Sequence, residues 1–343
     1  MKSGMGARLL VFDCHEAWVY QLRALDQPMD VVVGLRGRHV DGWDETVRPV
    51  PPNARLVRLD EALRTSEPYD CIVAHNLSDL LDAKSLHGPR LLVVHETLDG
   101  AIREQGATID PHEFRDTVAK FVRMTGAHVV SVSKLKGRSW GFEDDIVPFS
   151  ADPHDYPEWK GDLARGLRVS NQILRRPRIL LWDLHKQAFN GLPVTLVGNN
   201  PELDGVKPSA NWAELKEILS RHRFYIHTAD LNLEDGYNMS ALEAMAAGLP
   251  ILGNRHPTSP VKHGVSGFLS DDPAELRRYA ENLLADRELA ALMGRAARET
   301  VGKLFSSARF KQSFRRSIEF ARRSWHRHSA QALPSVGESI LCR

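Results

Sequence analysis

The stretch EDGYNMSALEAMAAGLPILGN, Glu234 to Asn254, sets the architecture. Ahead of it, Phe224 to Thr228 is a short aromatic and β-branched run of strand type. A polar loop follows, in which Gly236 permits a sharp backbone turn. A helix is predicted to start near Met239 and to stop at Gly248, just before Pro250, and the run after it is again strand-like.

The same alternation extends in both directions. Upstream, ARLLVFD, DVVVGL, YDCIVAHN, RLLVVHE and AHVVSVS punctuate the first half; GLRVSN, PVTLVGN, RFYIHTAD, LPILGN and SGFLS punctuate the second, with amphipathic segments between. This is the pattern of parallel sheets covered on both faces by helices, so the fold class is α/β. It lapses over Ala151 to Gly166, rich in Pro, Gly and charge, a linker composition. At 343 residues the chain suits two doubly wound domains facing each other across a cleft. The expected bounds are 1–155, a linker 156–166, 167–305, a basic helix 306–328 that packs back on the first domain, and a loose tail 329–343.

Charged residues make up 26% and hydrophobic ones 42%, with no apolar run long enough for a membrane-spanning helix. No signal-peptide segment precedes the first strand, so a cytoplasmic location is expected. Cys14, Cys71 and Cys342 lack C-x-x-C spacing, and no metal-ligand spacing is visible. The net charge of +1 conceals an asymmetry: residues 1–150 hold 18 Lys+Arg against 22 Asp+Glu, residues 301–343 hold 9 against 2. Within Arg309 to Arg327 seven basic residues face one Glu, read either as the solvated face of a closing helix or as a dock for anionic lipid headgroups. Nucleic acid is disfavoured, because basic and aromatic residues are not spread over a broad surface. The only near match to a dinucleotide fingerprint, Gly4-x-Gly6, lacks its third glycine and precedes its strand, which argues against a nicotinamide enzyme.

In doubly wound sheets ligands sit at the carboxyl ends of strands. The amides of Gly236, Tyr237, Asn238, Met239 and Ser240 at a helix start suit a phosphate or a sugar hydroxyl. Helical side chains lean toward the N-terminus, so Glu243 is expected to point back to the ligand that Asp235 meets. Ser240-x-x-Glu243 equally matches a capping box, in which Glu243 satisfies backbone amides only.

Asp235, seven residues, Glu243, then Ala244-Met245-Ala246 and Gly248-Leu249-Pro250 resembles the signature of glycosyltransferase family 4, whose first acid is a Glu. PILGNRHPTSPVKHGVSGFL continues the resemblance, and VSNQILRRPRILLWDL, Val169 to Leu184, is similar to the family's strand, diphosphate-binding loop and helix. The resemblance implies the GT-B fold and a retaining transfer from a nucleotide-diphosphate sugar to an acceptor hydroxyl, saccharide, lipid-linked or small-molecule, without cofactor or metal. It implies Glu243 on the ribose, Asp235 on the sugar, and Arg176 with Gly198 and Asn171 at the diphosphate. Two departures stand out. Asp235 is shorter than Glu by about 1.5 Å of reach, and Asn171 carries no charge where the family has Arg.

The first half resembles the family more faintly. His95 falls where the family often has a cleft-facing His, a catalytic candidate, and His15, Glu16, His75, Asn76 and Glu96 follow strands as acceptor-side candidates. A catalytically impaired sugar-nucleotide binding protein, or an epimerase or hydrolase on the same fold, are the alternatives that Asn171 and Asp235 keep open.

Overall fold

A computed structural model describes residues 8–35, 41–104 and 108–332. Gly4, Gly6, Cys342 and the tail from 333 onward lie outside the described residues. Two parallel sheets carry the fold. The first holds β1 (Leu9–Phe12), β2 (Met29–Val32), β3 (Ala54–Val57), β4 (Cys71–Ala74), β5 (Arg90–Val94) and β6 (His128–Ser131), in the order β3-β2-β1-β4-β5-β6. The second holds β7 (Leu163–Val169), β8 (Val194–Val197), β9 (His222–Ile226), β10 (Ile251–Gly253) and β11 (Gly267–Leu269), in the order β11-β10-β9-β7-β8.

Strands β1, β4 and β5 are buried along their whole length, which is why they read as unbroken apolar runs. Edge strand β3, ARLV, is half exposed and carries Arg55, so its sequence gives no apolar run and the pattern above passes over it. β7 begins at Leu163, inside the expected linker; Ala164 and Arg165 are exposed before the strand dives into the core at Gly166, so its start shows no apolar run.

The strand order reverses between β1 and β4 in one sheet and between β7 and β9 in the other, and such reversals open crevices at the carboxyl ends. The two crevices face each other. Thr97, beyond β5, donates its hydroxyl to the Leu233 carbonyl beyond β9 at 3.0 Å.

The helix Ser307–Ala332 crosses to the first sheet, where Phe310, Phe314, Ile318 and Ala321 join Trp18, Leu22 and Leu25 in one core. Its cations meet first-domain acids: Lys311 pairs with Asp26, Arg322 with Asp70, and Arg316 with Asp145 at 3.6 Å. The charge asymmetry between the two ends of the sequence is thus internal complementarity. No helix among the described residues is long and apolar enough to cross a membrane.

The helix Met239–Ala246, whose start faces the crevice, is held from behind. Gly248 ends it with φ +88°, and the helix Arg287–Leu304 lies so close that a Cβ on Gly294 would fall 1.9 Å from the Gly248 carbonyl oxygen. The clash is with backbone, so it cannot be relieved by a rotamer change. Gly294→Ala is expected to destabilise the second domain by about 1–3 kcal/mol, read as a lowered urea midpoint; an unchanged midpoint would show that the two helices part without cost.

Candidate functional site

The helix Met239–Ala246 starts at Asn238, whose side chain accepts from the Ala241 amide at 2.9 Å and so caps it. Ser240 does not head a capping box; its hydroxyl donates to the Tyr225 phenol, which in turn donates to the Val169 carbonyl at 3.1 Å. Glu243 is therefore released from capping, and it turns to the other domain. It pairs with Arg48, and both side chains are nearly buried, at 5% exposure for Arg48 and 9% for Glu243. The Arg48 guanidinium also donates to the Val47 carbonyl at 2.6 Å and lies 4.5 Å from the centre of the Trp212 ring. A buried ion pair persists only when its remaining donors are met in this way. Tyr156 closes the group through a hydrogen bond to Glu243; burial, with that carboxylate beside it, holds the phenol well above its usual pKa.

Asp235 lies in a second cluster. Lys136, from the first-domain helix Lys134–Trp140, places its ammonium 2.7 Å from Glu234 and 3.5 Å from Asp235. Burial pulls the Lys136 pKa down, but Glu234 and Asp235 overcome it and the net shift is upward. Burial pushes Glu234 up, and the Lys136 charge reverses this to a net lowering. His227, beneath them, is pulled to about 4 by burial. Asp235 is 1% exposed, and its Oδ1 has no hydrogen-bond partner among the described residues. Buried polar atoms are nearly always hydrogen-bonded, so this open oxygen singles Asp235 out.

Other expected donor residues divide. The Gly236 amide donates to Thr258 at 2.8 Å, and a Cβ there would press on His256 and Ser259; the glycine is needed for close approach of its own chain. Tyr237 is buried, its ring centre 5.1 Å from that of Phe305, so its side chain belongs to the core. Met239 lines the same cavity as Glu243. The Asn171 side-chain oxygen accepts from the Asn199 amide at 2.8 Å, bracing the tight turn at Gly198, where φ is +139°. Arg176 donates to the Asn171 carbonyl at 2.8 Å and sits in the loop between β7 and the helix Trp182–Phe189, well ahead of that helix start.

The charge absent at Asn171 has a counterpart that motif reading overlooks. Arg168, inside β7, is 2% exposed and donates to Leu180 at 2.9 Å, to Thr228 at 3.0 Å and to the His185 ring at 3.2 Å. No carboxylate is among these partners, and burial lowers its pKa to about 10, which leaves it cationic at neutral pH. A long basic residue in a strand reads as an exposed edge position, which is why the sequence hides it.

On the first-domain side, Asn76 caps the helix Leu77–Asp82 by accepting from the Asp79 amide at 2.9 Å, so it is committed to its own backbone. The Glu16 carboxylate accepts from the Asp44 amide at 3.3 Å and is buried; His15 and Glu96 are exposed. His75 and His95 meet, Nδ1 to Nε2, at 2.8 Å. Burial, reinforced by the Lys136 charge, lowers the His95 pKa to about 3, so its ring is neutral. Although no metal-ligand spacing shows along the chain, Cys14 comes together with these two imidazoles, all three donor atoms within 4.8 Å of one another. Arg48, Lys136, Tyr156, Trp212 and Arg168 lie outside any recognisable motif and were not singled out from the sequence; Glu234 lies beside the acidic pair but was given no role there.

The Arg48–Glu243 pair borders a cavity of about 210 Å³, lined also by Tyr20, Gln21, Tyr156 and Trp212. Small-molecule pockets span roughly 300–1,000 Å³. The cavity falls below that range, and of the acidic pair only Glu243 lines it.

Residues 199–300 match the family model for glycosyl transferases, group 1. That segment contains Asp235 and Glu243. N-acetyl-alpha-D-glucosaminyl L-malate synthase of Bacillus anthracis is 34% identical over 88 residues, 24% of this chain and 23% of that protein, so the match spans less than a quarter of the curated relative. Among solved structures, the Anabaena protein HepE in complex with UDP and glucose superposes with a TM-score of 0.65 at 13% identity, over 91% of this chain and 99% of that one. Sucrose-phosphate synthase from Thermosynechococcus elongatus gives 0.61 at 14% identity, over 95% and 100%. TarM of S. aureus gives 0.55 at 13%, over 72% and 55%. The fold is that of these GT-B glycosyltransferases.

The ion pairs across the domains have a pH signature. Glu234 has a depressed folded-state pKa, so its contribution is present above its unfolded value, about 4.3, and is lost as pH falls below that. Lys136, with a raised pKa, contributes fully below about 10.4 and loses it only above. Stability is expected to fall below about pH 6.5, where unfolded histidines charge and buried His95 and His227 do not, and to fall further below about pH 4.3, with Lys136→Met shrinking that lower, acid limb in urea titrations at several pH values. An acid limb of unchanged size in Lys136→Met would show that the cluster does not hold the domains.

Proposed function

We propose, from the premise that residues 199–300 form a group 1 glycosyltransferase domain, that this chain transfers a sugar from a nucleotide-diphosphate sugar to an acceptor hydroxyl, as a retaining enzyme of family 4. The carrying observation is that Asp235, with its open Oδ1, and Glu243 stand on either side of one helix start at the switch point of the second sheet. Uridine diphosphate is the proposed nucleotide, on the strength of the UDP and UDP-glucose named in structures of the same fold.

In this reading Glu243 binds the ribose once Arg48 has swung away, and Asp235 accepts from a hydroxyl of the transferred sugar. The loop Asn171 to Arg176 lies against the diphosphate, where Arg176 stabilises the departing negative charge and Arg168 raises the potential from beneath. Such fixed cations do what a metal does on other folds, so the diphosphate is proposed to need none. Neutral His95 faces the acceptor from the first domain and orients its hydroxyl. Domain closure around both substrates excludes water and limits donor hydrolysis. The basic helix is assigned to domain packing and not to lipid contact, because Lys311, Arg316 and Arg322 already face first-domain acids.

Incubation with a panel of nucleotide sugars tests the reading by release of free nucleotide diphosphate. Release that requires an acceptor supports transfer; release without one supports a hydrolase; binding without release supports the impaired binding protein. Arg176→Ala is expected to lower kcat by about 10²–10³-fold, and Glu243→Ala to raise the donor KM by roughly 10- to 100-fold. Wild-type donor KM and kcat in both variants would remove the site assignment. Retention is checked by the anomeric configuration of the product in NMR.

A further inference from the structure

We propose that Cys14, His75 and His95 form a three-ligand site for a borderline-soft transition-metal ion of the zinc class. The three residues are remote in sequence and stand just beyond the carboxyl ends of β1, β4 and β5, which lie side by side in the sheet. Their donor atoms, one sulfur and two ring nitrogens, all lie within 4.8 Å of one another. In a tetrahedral site with metal–nitrogen bonds near 2.0–2.1 Å and a metal–sulfur bond near 2.3 Å, the donors are about 3.3–3.6 Å apart. The 2.8 Å His75–His95 contact must open slightly and the thiol must close in, movements within reach of side-chain rotation.

The scaffold is stiff. β1, β4 and β5 are buried throughout, and the His75 amide is fixed by the buried Asp79 carboxylate at 2.8 Å. Trp18, itself 2% exposed, stands edge-on to both imidazoles, with ring centres 4.8 Å from His75 and 5.1 Å from His95. An apolar wall on one side and rigid strands beneath leave the donors few alternatives, the condition that makes a chelate preorganised. A thiolate with two neutral imidazoles selects zinc-like ions over magnesium or calcium, which take oxygen ligands. On binding, Cys14 gives its proton to water, and the proton shared by the two rings moves to the outer nitrogen of one of them. All three residues are only partly buried, so the fourth position is open to water from the cleft.

Binding stands independently of the glycosyl-transfer reading. The consequence for turnover rests on that reading: the ion would take the His95 nitrogen that is proposed to orient the acceptor, and so act as an inhibitor.

The full chain, stripped of metal with a chelator, is titrated with Co²⁺ as the optical probe and then with Zn²⁺. A single equivalent with a thiolate-to-cobalt charge-transfer band in the near ultraviolet, bleached by Zn²⁺, is expected. Cys14→Ser should abolish the band, and His75→Gln should weaken Zn²⁺ binding by more than the roughly 10–100-fold typical of an outer-shell loss. Cys71→Ala, at the opposite end of β4 from His75, should leave both unchanged, and circular dichroism verifies that each variant is folded. Absence of a stoichiometric cobalt band in the wild type, or a band that survives in folded Cys14→Ser, overturns the proposal. Loss of glycosyl transfer with the band intact bears on the enzymatic reading alone.

Discussion

The buried pair between Arg48 and Glu243 is the constraint on which the site depends. Two charges withdrawn from water are tolerated only because Trp212, the Val47 carbonyl and Tyr156 complete their surroundings. The pair joins the loop after β2 to the helix after β9, so the same contact that closes the domains also occupies the carboxylate at the centre of the proposed donor pocket. Arg48 and the proposed donor compete for one side chain, so donor binding exchanges this ion pair before the domains close around both substrates. Lys136 does the same at Glu234 and Asp235, but leaves one Asp235 oxygen unmatched.

Behind this front the molecule is built to hold the helix start still. Asn238 caps it, Gly248 ends it in the left-handed region, and Gly294 lets another helix seat against its end. The long C-terminal helix ties the second domain back to the first by apolar contact and by charge.

The match between Asp235-x₇-Glu243 and a known signature identified the segment, and the helix stop was legible from Gly248 and Pro250, whereas the Asn238 cap was not. Asn171 was less legible: an amide at a strand end serves a turn or a ligand equally well, and only the tertiary structure shows its oxygen bracing a turn through the Asn199 amide. Ser240 posed the same problem, solved by where Tyr225 stands. Edge strand β3 escaped notice because an exposed strand has no hydrophobic period to read.

The sequence by itself determined the α/β alternation, the division into two sheets and the segment that carries the acidic pair, because these follow from local periodicity, turn chemistry and short-range spacing. Only the tertiary structure decided which charges meet. Arg48 lies 195 residues from Glu243, and Cys14, His75 and His95 converge only because β1, β4 and β5 become neighbours. Electrostatic and coordination energies depend on distance in space, and a linear chain does not record the order in which its strands assemble.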